Sequence, residues 1–206
     1  MHLEVLIEES SAEPVVRRIV EATVGWSSFE VRIFEGKPDL LESIEERLRG
    51  YLKWRVDLRV LVLVDRDDED CVSLKTRLES AALRAGLLTR ATATATAAVG
   101  GDRYAVCNRV AIEELESWFF GDEPAVRAEY PRVKPFAMKA AYRDPDAIVG
   151  GTWEAMERLL KSSGYYPSGL RKADLATRLA PRLDFAHNRS ASFHAFVSGL
   201  KDLVAQ

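Results

Sequence analysis

Two aspartates at the end of an unbroken aliphatic run are the residues in this chain best placed to do chemistry. Val60-Leu61-Val62-Leu63-Val64 ends abruptly in Asp65-Arg66-Asp67-Asp68-Glu69-Asp70. If the chain stays extended there, the two-residue period of a strand points Asp65 and Asp67 the same way. Close carboxylates repel unless a cation stands between them, and a hard divalent ion with oxygen ligands is the usual partner. Two more acidic clusters follow apolar runs: Glu8-Glu9 after residues 3–7, and Glu113 with Glu116 after residues 104–112. A solvated acidic loop would have the same composition. The placement of the acids behind apolar runs favours an ion site, with Glu8, Asp65 and Asp67 converging in one cleft that suits Mg2+ or Mn2+. Asp68, Glu69 and Asp70 read instead as acids that complement the start of the next helix.

The elements that must position these acids follow from hydrophobic period. Five aliphatic residues without polar alternation, 60–64, fit a strand buried on both faces, as in a parallel sheet between helices. In such sheets the site lies outside the carboxyl ends of the strands. Residues 3–7 and 104–112 read as further strands, and 29–34 alternates as a strand with one wetter face. Helical spacing appears at Val15, Val16, Ile19, Val20 and Val24. It recurs at Leu40, Leu41, Ile44, Leu48, Tyr51 and Leu52, and again over residues 70–85, with Leu74, Leu78, Ala81 and Leu83 turned inward. Residues 113–120 read as a short helix. The Thr/Ala tract at 89–98 fits a thin strand or a loop, and Gly100-Gly101-Asp102 is a break. The order is β-α-β-α-β-α-(β)-β-α, an α/β domain over residues 1–122. A helical, loop-rich extension, 123–206, packs on it, with helices expected at 152–162, 171–183 and 192–205.

Charge divides the same way. Residues 1–123 carry 16 Lys/Arg against 24 Asp/Glu, and residues 124–206 carry 13 against 8. An acidic, site-bearing part with a basic extension suits metal chemistry on a polyanion. Arg171 and Lys172, after a Gly-containing loop, are placed to meet phosphates. The Asn188-Arg189-Ser190 run is placed to cap the last helix, with Arg189 able to face the site. Cys71 and Cys107 make no metal-binding or disulfide pattern, so a reducing cytoplasm is expected. Residues 1–11 lack the basic start of a signal peptide. No apolar run approaches the ~20 residues of a membrane span. His2, His187 and His194 have no Ser or Cys partner in a recognisable triad, and no GxxxxGK[ST] loop is present.

A glutamate after the first strand and Asp-x-Asp after the third resemble the Toprim domain of topoisomerases, primases and OLD-type nucleases. LIEESSAE, FEGKPDLL, LVDRDDEDCVSLKTRLE, NRVAIEELESWFFGD, YRDPDAIVGGTWEA and NRSASF together resemble one family of Toprim-like proteins of unknown function. That family is found beside AAA-type ATPases and is related to the nuclease subunit of the PARIS anti-phage system. The resemblance implies a Toprim-like (Rossmann-like) sheet and Mg2+- or Mn2+-dependent phosphodiester cleavage of DNA or RNA. It also implies control by a neighbouring ATPase. It places the first-strand ligand on Glu8, with Glu9 as the alternative, the pair on Asp65 and Asp67, and a later acid on Glu116 or Glu113. Two other readings stay open: a docking subunit without catalysis, and a haloacid-dehalogenase-type phosphatase, whose Asp-x-Asp normally follows the first strand. A homodimer is also expected, with Tyr165 or Tyr166 exposed as an anchor for partners.

Overall fold

The computed structural model describes residues 1–25, 28–54, 57–96 and 105–205. Four strands form one parallel sheet: β1 (His2–Ile7), β2 (Ser28–Ile33), β3 (Leu58–Asp65) and β4 (Val106–Ala111), in the order β2-β1-β3-β4. This is the α/β, mostly parallel architecture expected from the aliphatic run. β1 and β3 are central, and alternation sorts their side chains onto two faces. Val5, Ile7, Leu61 and Leu63 face one apolar cluster, and Leu6, Val60, Val62 and Val64 face the other.

The second cluster is closed by α2 (Lys37–Tyr51) and α3 (Cys71–Arg84). Asp70 caps α3, its carboxylate accepting from Ser73 N at 2.8 Å. Leu83 points outward, 46% exposed, and Ala82 takes the inward place. The buried set Leu74, Leu78, Ala82 and Ala85 keeps the 3.6-residue period that Leu83 breaks.

The first cluster is larger. It joins α1 (Glu13–Val24) to α5 (Ser117–Phe120), α6 (Glu123–Glu129), α7 (Thr152–Ser162), α8 (Lys172–Leu179) and α9 (Ala191–Val204). The C-terminal portion therefore covers a whole face of the sheet. α9 lies against β3 and β4, and Arg59 on β3 donates to Leu203 O at 3.2 Å. Ser190 caps α9, and Trp118, Phe119 and Phe120 are fully buried core. Among the described residues no helix is long and apolar enough to cross a membrane.

Three local expectations change. Part of the Thr/Ala tract is a short helix, α4 (Arg90–Thr96), because Thr89 and Thr92 exchange backbone and hydroxyl hydrogen bonds that start a helical turn. Residues 97–98 of that tract, the break at 100–102 and the start of the strand at 104 lie outside the described residues. The helix expected over 113–120 is confined to 117–120, since Glu113 adopts φ 61°. Tyr165 and Tyr166 are half-buried, not exposed. The Tyr166 hydroxyl bonds the Tyr130 hydroxyl (2.7 Å) and donates to the Asp174 carboxylate (2.8 Å), and the Arg132 guanidinium lies 4.1 Å from the Tyr165 ring centre.

Gly121 ends α5 where the chain before α9 crosses it. A Cβ there would collide with Asn188 Oδ1 and the Ser190 nitrogen. Gly121→Ala should destabilise the fold by about 1–3 kcal/mol, the cost of overpacking a close approach. A lowered urea midpoint with unchanged slope is the expected readout, and an unchanged midpoint would contradict it.

Candidate active site

The strand order turns around between β1 and β3. β1 feeds a crossover to β2 on one side, and β3 and β4 extend the sheet on the other. In open parallel sheets the crevice at such a switch point receives the ligand. Both chains leave it carrying acids. The Glu8 carboxylate accepts from Asp65 N at 3.3 Å, tying the two strand ends together.

Alternation decides where each acid points. Asp65 has the parity of Leu61 and Leu63, so it leaves the sheet toward the C-terminal helices. It is 6% exposed and stands within the electrostatic reach of Glu8, Glu116, Lys172 and Glu9. Glu116, 3% exposed, sits in the turn before α5, and its Oε2 is buried without a hydrogen-bond partner. Lys172 begins α8 with its Nζ 3.6 Å from Glu9 and 3.1 Å from Glu114. Glu9 also accepts from Ser11 Oγ at 2.5 Å.

Asp67 does not share the direction of Asp65. The strand ends at Asp65, and Asp67 takes φ 49°, with its nitrogen bonded to Glu113 O at 2.8 Å. The turn delivers its carboxylate to Lys37, 2.6 Å away. Lys37 is buried at the first position of α2, just after Gly36, whose φ of 96° suits a residue without Cβ. Its ammonium also lies 3.3 Å from Glu69 and donates to Arg66 O at 3.1 Å. Arg66 pairs with Glu113.

Burial disfavours the charged form of these carboxylates. It pushes Glu8 up to about 7 against the pull of Lys37. It also pushes Glu116 up to about 7 against that of Lys172. Burial and the fields of Glu8 and Glu116 push Asp65 well above the usual carboxylate range. For Lys172 burial opposes the charge, but Glu116, Glu114 and Glu9 outweigh it and raise the pKa. Asp67 raises Lys37 in the same way.

The remaining expected residues fall as follows. Arg171 is exposed next to Lys172. Arg189 is spent on the carbonyls of Arg143 (2.7 Å) and Phe120 (2.9 Å), where it ties loop to core. Its guanidinium is thus turned to these carbonyls, while the residue remains exposed. Lys37 and Glu114 were missed by sequence reasoning. Lys37 had one signal, a lysine between a glycine and a proline beside the strand ends. Glu114 had none, because its contacts to Thr152, Trp153 and Lys172 depend on the tertiary fold.

All donors around Asp65 are carboxylates, and Glu116 Oε2 lacks a partner, so the residues fit a hard divalent cation. Among the described residues, no three His, Cys, Asp or Glu side chains are drawn to a common point that could hold one.

The fold and acid-lined crevice define an α/β protein built like the C-terminal region of OLD proteins. That region from Burkholderia pseudomallei superposes with a TM-score of 0.53 at 15% identity, covering 98% of both chains. That from Xanthomonas campestris pv. campestris gives 0.51 at 17%, covering 98% of this chain and 93% of the other. The chain belongs to the DUF4276 family, a domain of unknown function, whose model matches residues 7–201. No curated protein matches it.

The raised carboxyl groups set a pH dependence. A group with folded pKa about 7 and ordinary value 4.5 binds more protons folded than unfolded between those values, so stability falls as pH rises through that window. In chelator, melting should be lower at pH 7.5 than at pH 5, by an amount on the order of a few kcal/mol of unfolding free energy. Glu116→Gln should flatten the profile. Melting that rises over this range would contradict the assignment.

Proposed function

We propose that this chain is a Toprim-type, metal-dependent hydrolase of phosphodiester bonds in nucleic acid. The observation that carries the reading is the joining of Glu8 to Asp65 at the switch point, beside a partnerless buried Glu116 oxygen. Glu8, Glu9, Asp65 and Glu116 would hold the cation, Mg2+ or Mn2+. Such an ion polarises a phosphate and makes a neighbouring water a stronger nucleophile. The protein's own groups do the rest. Lys172 stays charged beside the acids and would neutralise phosphate oxygens as they enter. Arg171, exposed next to it, would hold the flanking backbone. Burial of Asp65 keeps bulk water from weakening these fields.

An AAA-type ATPase partner, an anti-phage role related to the PARIS system, and a homodimer belong to the same proposal. Their support is the sequence resemblance. With Tyr165 and Tyr166 committed to Tyr130 and Arg132, an ATPase would dock elsewhere.

The test uses purified chain with Mn2+ or Mg2+ on plasmid DNA and on structured RNA, with and without the co-expressed neighbouring ATPase. Asp65→Asn should cut turnover by about 10²–10³-fold, the usual loss for a group that stabilises charge at the reacting centre. Its melting temperature should hold or rise, since a buried carboxylate is removed. Equal turnover in wild type and Asp65→Asn would mean the site is misassigned. Silence under every condition would favour a docking subunit without catalysis.

A further inference from the structure

We propose that Lys37 is a built-in cation of the acid site, filling the place of a second divalent ion, so that the chain takes up a single one. The inference rests on the metal-dependent reading above and deepens it.

The first observation is the surroundings of the ammonium. Nζ lies 2.6 Å from Asp67, 3.3 Å from Glu69 and 3.1 Å from Arg66 O. This is a shell of oxygens alone, two carboxylates and a carbonyl, the ligand set a hard cation takes. An ammonium has three N–H groups, and three acceptors are present. The residue is 8% exposed, so the ammonium is held in place among these oxygens.

The second observation is charge balance. Asp67 and Glu69 face Lys37, and Arg77 also reaches Glu69 at 3.0 Å. Two acids thus meet two bases, and Glu113 next to them is matched by Arg66. The three acids nearest Lys37 are each paired with a base, while Asp68 and Asp70 line the same crevice beside them. Across the strand ends the balance differs. Glu8, Glu9 and Glu116 act electrostatically on Asp65, and Lys172 is the base paired beside them, with Glu9 and Glu114. The surplus there suits one dication.

The third observation is Asp67 itself. Its turn at φ 49° is stitched to Glu113 O, which holds its carboxylate on the Lys37 side and away from Asp65. Asp67 accordingly serves Lys37, and the ion belongs to the Asp65 side.

The experiment is Mn2+ binding to the full chain by calorimetry, with free Mn2+ counted by electron paramagnetic resonance. Wild type should bind one ion per chain. Lys37→Met and Lys37→Gln, checked for folding by circular dichroism, should each bind a second, weaker ion. Asp67→Asn should keep one, and Asp65→Asn should bind none. Two ions in wild type, one ion in the folded Lys37 variants, or loss of the ion in Asp67→Asn would each overturn the proposal while leaving the hydrolase reading standing. No ion in wild type would overturn both.

Discussion

Everything at the carboxyl end of this sheet depends on keeping carboxylates buried beside one another. Asp65 lies at the end of a strand with both neighbours paired, and its own nitrogen is tied to Glu8. Isolated ionised carboxylates in such a place are strongly disfavoured. The molecule answers with two lysines on opposite sides, Lys37 from α2 and Lys172 from α8. Their charges lower the cost but leave Glu8 and Glu116 near 7, so the site remains short of positive charge. That shortage is the feature a bound cation would relieve under the proposed reading.

The C-terminal portion supplies half of this arrangement. Lys172 comes from α8, and Glu114, which shares its charge, also holds Thr152 Oγ1 at 3.1 Å and Trp153 N at 2.8 Å at the start of α7. Asp122 bonds both Ala125 N and Asp184 N, stitching the chain after α5 to the segment before α9. The residues that close the crevice therefore arrive from far along the sequence. A shared apolar cluster fixes them. The family match across residues 7–201 fits this interdependence, since neither portion makes the crevice by itself.

The sequence shows the sheet well and the site in part, for a physical reason. Aliphatic runs such as residues 60–64 announce buried strands because burial on both faces leaves no room for polar alternation. The acids at their ends were therefore legible as a group. Their directions were not. Whether Asp67 continues the strand depends on its bond to Glu113 O, a contact 46 residues away in the chain. Lys37 was easily overlooked as a site residue because lysines at helix starts are usually solvated, and the turn at Gly36 brings this one inward. Tyr165 and Tyr166 looked like surface anchors in a loop rich in Gly and Pro. Their burial follows from Tyr130, whose position no local pattern reveals.

The two left-handed residues at the crevice carry the last step of the argument. Asp67 and Glu113 each adopt a conformation that costs a side-chain-bearing residue of order 1 kcal/mol. They are adjacent, since Asp67 N donates to Glu113 O, and Arg66 bridges back to Glu113. The turns after β3 and β4 thus lock one another, and neither can relax alone. A strand that simply continued past Asp65 would have placed Asp67 on the Asp65 side, crowding a third carboxylate into the acid cluster. By turning Asp67 to Lys37, the backbone pairs it with a cation and keeps its carboxylate off the Asp65 side. The strain is the cost of that placement, and it falls on two residues that line the crevice.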